Sequence, residues 1–191
     1  MRIDKLCFSF DQKPIFNDFD LVIKDHCITA LMAPSGMGKT TLLRLIAGLL
    51  TPQSGRIETG GKNIGIMFQE PRLFGQLTVL QNVMLVIKDK AQKRDIAMQL
   101  LRDFDVTDAA DKYPDELSGG MAKRVSLARA IAYDTEILLL DEPFSALDRD
   151  TKKTVMAKAR DLLREKTVLF VTHDITEAND FADEIADLNI K

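Results

Sequence analysis

The stretch that most constrains this chain is ITALMAPSGMGKTTLLRLI, residues 28–46, in which an apolar run, a glycine-bearing loop and an apolar helix follow one another directly. Ile28–Met32 reads as a short buried strand, and Thr40–Leu50 as a helix apolar almost all round, hence a core helix. Between them, Ala33–Thr40 places five residues before Gly-Lys-Thr, the arrangement of a phosphate-binding loop. Gly36 and Gly38 let backbone N–H groups turn inward onto an anion, with Ser35 in the same loop. The helix start adds unpaired donors and a partial positive charge. Lys39 is expected to reach the terminal phosphates, Thr40 to ligate Mg²⁺ through its hydroxyl, and Thr41 to bond a phosphate oxygen. A plain glycine turn before a helix is the competing reading. Ala33 stands where such loops commonly begin with glycine; positive φ there would cost about 1–2 kcal/mol, so negative φ is expected.

The rest of the chain alternates in the same manner. Leu6–Phe10 and the alternation of Phe19, Leu21 and Ile23 against Asp20 and Lys24 read as two strands joined by a turn at Asp11–Pro14. Ile57–Thr59 and Ile64–Phe68 are further strands, with Gly60-Gly61 between them. Ile96, Leu100 and Phe104, with Ala97 and Leu101 alongside, mark an amphipathic helix inside a helical insert, residues 78–116. Met121–Tyr133, Thr151–Arg164 and Ile175–Ala186 read as helices, and Ile137–Leu140 and Thr167–Val171 as buried strands. Val155, Ala159, Leu162 and Leu163 supply the inward stripe of the second of these helices. Strands alternating with helices imply an α/β fold with a mostly parallel sheet covered on both faces.

Composition removes several classes of function. Net charge is −3, which gives no bulk attraction to nucleic acid or anionic lipid. The basic run Lys88–Arg94 is interrupted by Asp89 and reads as a solvated helix face. Cys7 and Cys27 form no Cys-x-x-Cys pair and are expected to be buried thiols of a reducing compartment. No secretory leader opens the sequence, and no apolar run approaches the roughly 20 residues of a membrane span.

A use for a bound phosphate appears at ILLLDE, residues 137–142. A buried parallel strand projects Asp141 from its carboxyl end, where ligands of open α/β sheets bind. Asp141 is then placed to hold a Mg²⁺ shell, and Glu142 to accept a proton from an attacking water. An acidic pair that merely starts a helix is the alternative. At Leu117–Arg124, LSGGMAKR puts Ser118, Gly119 and Gly120 at the opening of a helix, a second grip for phosphate.

That run resembles the signature sequence of ATP-binding cassette proteins, and other motifs follow in the family's order. Gln69 matches the Q-loop glutamine, DEPFSALD at Asp141–Asp148 the Walker B and D-loop run, and VTHD at Val171–Asp174 the switch histidine, His173. Phe10 falls where the family places an adenine-stacking aromatic; core packing is the alternative there. The resemblance covers essentially the whole chain. It implies a P-loop NTPase core with a small antiparallel β subdomain (1–77 and 117–191) and a helical subdomain (78–116) in one cassette. It further implies ATP and Mg²⁺ as ligands, with Glu142 as general base, His173 on the γ-phosphate, and Gln69 with Thr40 completing the metal shell. Two copies would stack head to tail, each ATP held by the phosphate loop of one and the Ser118 run of the other, with Asp148 at their interface.

LSGGM followed by basic residues is similar to the importers of nitrate, sulfonate and taurine. The implied role is the ATPase of a bacterial small-solute importer, peripheral on the cytoplasmic side of the membrane. Its partners would be integral permease subunits and a solute-binding protein, with no nucleic acid. Leu73, Phe74 and Leu77 would receive a permease helix, or else cap the helical insert. The segment between Lys39 and Gln69 is short for the family, so a trimmed antiparallel subdomain and no regulatory C-terminal domain are expected. The alternative function is a soluble cassette ATPase with a non-transport partner.

Overall fold

The computed structural model describes residues 1–11, 13–34 and 36–188. Strands β1 (Arg2–Phe10), β2 (Lys13–Val22) and β3 (Ile28–Met32) lead into helix α1 (Lys39–Ile46). Strands β4 (Ser54–Glu58) and β5 (Ile64–Met67) follow, then helices α2 (Val79–Met84), α3 (Lys93–Asp103) and α4 (Gly119–Ala132). The chain continues with β6 (Ile137–Asp141), α5 (Arg149–Leu163), β7 (Thr167–Thr172), α6 (Ile175–Phe181) and β8 (Glu184–Asp187). One sheet has five strands in the order β5-β6-β7-β3-β8, with every pair parallel. The other has three antiparallel strands in the order β2-β1-β4. This is the mixed α/β architecture expected from the sequence.

Alternation along the central strands sorts side chains to two faces. Leu138, Leu140, Val168, Phe170, Ile28 and Ala30 point into one core, shared with α4, α5, α6 and the helices of residues 79–103. Ile137, Leu139, Leu169, Val171 and Leu31 point into the other, shared with α1 and the antiparallel sheet. Both faces are covered, so β6 and β7 are buried at every residue, and Ile137–Leu140 and Val168–Val171 within them are unbroken apolar runs. Phe144, Phe170 and Phe181 pack edge to face, with ring centroids 4.8–6.4 Å apart, and pin α6 to the sheet.

Several expectations need correction. Helix α1 ends at Ile46, not Leu50, because Gly48 takes φ 70 and closes a Schellman motif. Its N–H bonds the Leu45 carbonyl and the Leu49 N–H bonds that of Arg44, which leaves Leu49 in solvent. On α5, Leu162 is 40% exposed, and Met156 takes the fourth inward position. The run Lys88–Arg94 is solvated but enters a helix only at Lys93; before that, the Asp89 carboxylate accepts from the Ala91 and Gln92 N–H groups to form a turn. Cys27 is buried, whereas Cys7 is only half-buried.

The largest departure lies at the end of the described chain. The helix expected over Ile175–Ala186 stops at Phe181, and Glu184–Asp187 adds a parallel edge strand beside β3. Arg160 on α5 donates to the carbonyls of Phe181 (2.5 Å) and Ala182 (3.2 Å) and to the Asp183 carboxylate (2.6 Å). Asp183 in turn accepts from the Ile28 N–H at 2.8 Å. These bonds satisfy the helix end and turn the chain into the sheet. Arg160→Met should therefore accelerate amide exchange across Glu184–Asp187 by at least about tenfold, the worth of one charge-assisted bond, while β6 and β7 stay protected. Uniform exchange throughout the sheet would contradict this.

Candidate functional site

The parallel sheet brings the carboxyl ends of β3, β5, β6 and β7 to one edge, and the expected site residues gather there. In the loop after β3, Gly36 and Gly38 both have φ 83, the left-handed region, while Ala33 does not. A Cβ on Gly38 would also fall 2.5 Å from the Ile15 Cγ2 and 3.1 Å from the Phe16 ring, so β2 seats the loop and only glycine fits. Ser35 lies outside the described residues. Lys39, 8% exposed, folds its ammonium back onto the carbonyls of Ala33 (2.5 Å) and Pro34 (3.1 Å). Thr41, on the first turn of α1, is partly exposed.

Thr40 donates its hydroxyl to the Asp141 carboxylate at 2.8 Å. That separation matches adjacent ligands of an octahedral Mg²⁺, about 2.9 Å apart for Mg–O bonds of about 2.0–2.1 Å, so this oxygen pair fits the ion. Asp141 is 3% exposed, and burial pushes its carboxyl above the usual range. The Thr40 hydrogen bond opposes the shift and the Glu142 charge adds to it.

Glu142 sits beyond the strand end at φ 46, an unusual conformation for a side chain of its size. The backbone is held there: its N–H donates to the Val171 carbonyl, and its carbonyl accepts from the Ser145 N–H and hydroxyl. The carboxylate is thereby aimed between two partners. Gln69 Nε2 donates to one oxygen at 3.2 Å, and His173 Nδ1 lies 3.2 Å from the other. Gln69, Glu142 and His173 thus meet from three different strand ends.

The remaining expected residues form a separate group. Ser118 caps α4 by accepting from the Met121 N–H at 3.2 Å, and Gly119 and Gly120 open the helix. A Cβ on Gly120 would fall 3.1 Å from the Ala146 carbonyl, so this helix start lies against the turn that carries Asp148. Asp148 caps α5 through the Thr151 N–H at 3.0 Å, and that bond holds its carboxyl below the usual range. Among the described residues, no hydrogen bond joins Ser118 to Lys39, Thr40, Asp141 or Glu142. Phe10, at the end of β1, is 44% exposed with its ring edge-on to Phe8.

Two features escaped the sequence reading. Glu177 on α6, 4% exposed, accepts from Lys152 (2.5 Å) and from the Thr172 hydroxyl (2.6 Å), bracing the residue before His173. Its signal was an acid on the same helix face as Ala178 and Phe181. Lys123 on α4, 2% exposed, donates to the Gln69 carbonyl at 2.6 Å. No helix among the described residues is long and apolar enough to cross a membrane.

The family profile described as ABC transporter matches residues 16–145. The sulfate/thiosulfate import ATP-binding protein CysA of Synechococcus elongatus is 40% identical over 99% of this chain, which spans 60% of that protein. The chain likewise spans 61% of the counterpart in Thermosynechococcus vestitus, at 41% identity over 99% of this chain. The aliphatic sulfonates import ATP-binding protein SsuB of Bacillus licheniformis is 41% identical over 93% of this chain and 73% of its own length. Among solved structures, the dimeric post-hydrolysis state of the ATP-binding cassette MJ0796, bound to ADP and Pi, superposes with a TM-score of 0.85 at 29% identity. That match covers 98% of this chain and 93% of the other.

The raised Asp141 carboxyl has a consequence for stability. Its ionisation is disfavoured in the folded chain, so the free protein loses stability as pH rises from about 3.9 through the elevated folded value. Asp141→Asn keeps an acceptor for Thr40 and removes that charge. It should raise the Tm of the ligand-free chain at pH 7 by about 2–4 °C, with the gain gone below about pH 3.9. Thermal scans at both pH values check this, and an unchanged or lowered Tm at pH 7 would contradict it.

Proposed function

The chain belongs to the ABC transporter family, and from that premise we propose that it is the ATP-hydrolysing subunit of an importer for a small solute. The observation that carries the reading is the Glu142 carboxylate, held 3.2 Å from both Gln69 and His173 beside the Thr40–Asp141 pair. In this reading the main-chain amides around Gly36 and Gly38 and the Lys39 ammonium grip the phosphates of ATP. Reaching them requires Lys39 to leave the two loop carbonyls it now holds. Phe10 stacks on the adenine, and Thr41 bonds a phosphate oxygen. Thr40, Asp141 and Gln69 would hold magnesium, which when bound would neutralise charge on the phosphates. Glu142 accepts the proton of the attacking water, and His173 steadies the γ-phosphate.

Ser118, Gly119 and Gly120 complete the site of a second copy, with Asp148 near the shared interface. The dimeric cassette with ADP and Pi supports this arrangement. Residues 1–77 with 117–191 act as the ATP-binding core and 78–116 as the helical subdomain. Phe74, 51% exposed, offers apolar surface to a permease, whereas Leu73 is partly buried and packs against the helical core, which favours the capping role for it. The named relatives are import ATP-binding proteins for sulfate, thiosulfate and aliphatic sulfonates. They favour import, with membrane permeases and a solute-binding protein as partners, over a soluble cassette with a non-transport partner. The location that follows is the cytoplasmic face of the membrane.

Glu142→Gln should retain ATP binding and lose about 10²–10⁴-fold in turnover, the usual worth of a general base. Sized with ATP it should run as a dimer and without ATP as a monomer; wild-type turnover would remove Glu142 from the role. Lys39→Ala should abolish nucleotide affinity, and a titration showing normal ATP binding would discredit the phosphate loop.

A further inference from the structure

The loop that follows β5 has no ladder of its own to satisfy its carbonyls, and helix α4 supplies the donors. Three side chains spaced three residues apart on α4 reach it. Lys123 Nζ donates to the Gln69 carbonyl at 2.6 Å, Ser126 Oγ to the Pro71 carbonyl at 3.1 Å, and Arg129 Nη2 to the carbonyls of Pro71 and Arg72, both at 3.0 Å. Lys123 and Ser126 are 2% and 3% exposed, so the donors lie inside the fold and the bonds to the loop are part-buried. The next stretch is tied to the same helices. Asn82 on α2, fully buried, bonds the Phe74 N–H and the carbonyls of Phe74, Leu77 and Thr78, and accepts from Arg129 at 3.3 Å.

We propose that Lys123 is a positioning residue for Gln69: by holding the Gln69 carbonyl, it sets the side-chain amide against Glu142, with Ser126 and Arg129 fixing the rest of the loop to α4. The inference rests on the reading that Gln69 and Glu142 serve ATP hydrolysis. A lysine is a costly choice for this position. Burial lowers its affinity for a proton, and the charges of Asp141, Glu142 and Glu177 act in the opposite direction. Among the described residues no carboxylate lies within ion-pair distance of it, so its one hydrogen-bond acceptor is the Gln69 carbonyl. An uncharged side chain would fill the volume at lower desolvation cost. What it would lose is a donor long enough to cross from α4 to the loop. The device also gives α4 two ends of work. Its N-terminus carries Ser118, which faces the partner copy, and one turn on it carries the residue that sets Gln69 in this chain's own site.

The test is a double-mutant cycle on the full chain, read as phosphate release under saturating MgATP together with the affinity for a fluorescent ATP analogue. Lys123→Met should lower kcat by about 10–100-fold, the cost of misplacing a reacting group by about 1 Å, and leave nucleotide affinity within about threefold of wild type. In a Gln69→Ala background the same substitution should add little further loss, because the group it positions is already gone. Ser126→Ala should show the same non-additivity in smaller measure. An equal loss from Lys123→Met in both backgrounds, or a parallel loss of nucleotide affinity, would make Lys123 a packing residue and overturn the proposal. A wild-type chain that releases no phosphate above the level of Glu142→Gln would instead overturn the hydrolytic reading on which it rests.

Discussion

A carboxylate at the end of a buried strand sets the terms for everything around it. Asp141 closes a strand that is buried throughout, and its hydrogen-bond partner is the hydroxyl of Thr40. Burial disfavours its charge, and Glu142 next to it makes the matter worse. Packing alone would select an apolar residue here. On the proposed reading, an acid is kept at this point because a cation would share the pocket. The separation of the two oxygens already suits a small hard cation. On the proposed reading, the stability that burying this acid costs would be offset by the affinity for a bound cation.

The clustering of the other groups follows from one property of the sheet. All of its strand pairs are parallel, so every carboxyl end lies on the same edge. The phosphate loop, Gln69, Glu142 and His173 sit just past the ends of β3, β5, β6 and β7 and need no long-range loops to meet. The antiparallel sheet contributes from the side. Ile15 and Phe16 press on Gly38 and so fix the height of the loop, while Phe10 stays exposed at the far end of the neighbouring strand.

What the sequence disclosed was what local chemistry dictates. A glycine-lysine-threonine loop between a strand and a helix, and acids at the end of four apolar residues, have few other uses, and both occupy the expected places. Serine followed by two glycines was legible as a helix start because a capping hydroxyl is a local need. The misread parts depend on distant partners. Residues 175–186 carry Ala178 and Phe181 at helical spacing, but Arg160 and the Ile28 N–H, both remote in sequence, end the helix and recruit the following residues to the sheet. Lys123 was invisible for the same reason. A lysine after a helix start reads as solvated, and only the fold reveals the loop carbonyl 54 positions away that holds it inside. The end of α1 was the exception, since Gly48 is a local stop signal inside an apolar run that continues through Leu50.

The turn between β6 and α5 joins the two groups of site residues. It begins at Glu142 and includes Ala146, both at positive φ, a conformation that costs a residue with a Cβ about 1–2 kcal/mol. Such strain persists only where surrounding bonds over-determine the backbone. Val171 and Ser145 do so at Glu142, and the cap of Asp148 on α5 does so at the other end. Gly120 abuts the Ala146 carbonyl, and four residues earlier the same turn presents the Glu142 carboxylate to Gln69 and His173. The start of α4 thus lies against the turn that carries Glu142, while Lys123 on the same helix holds the Gln69 carbonyl, so the two side chains that meet at 3.2 Å are both anchored to the elements around Ser118.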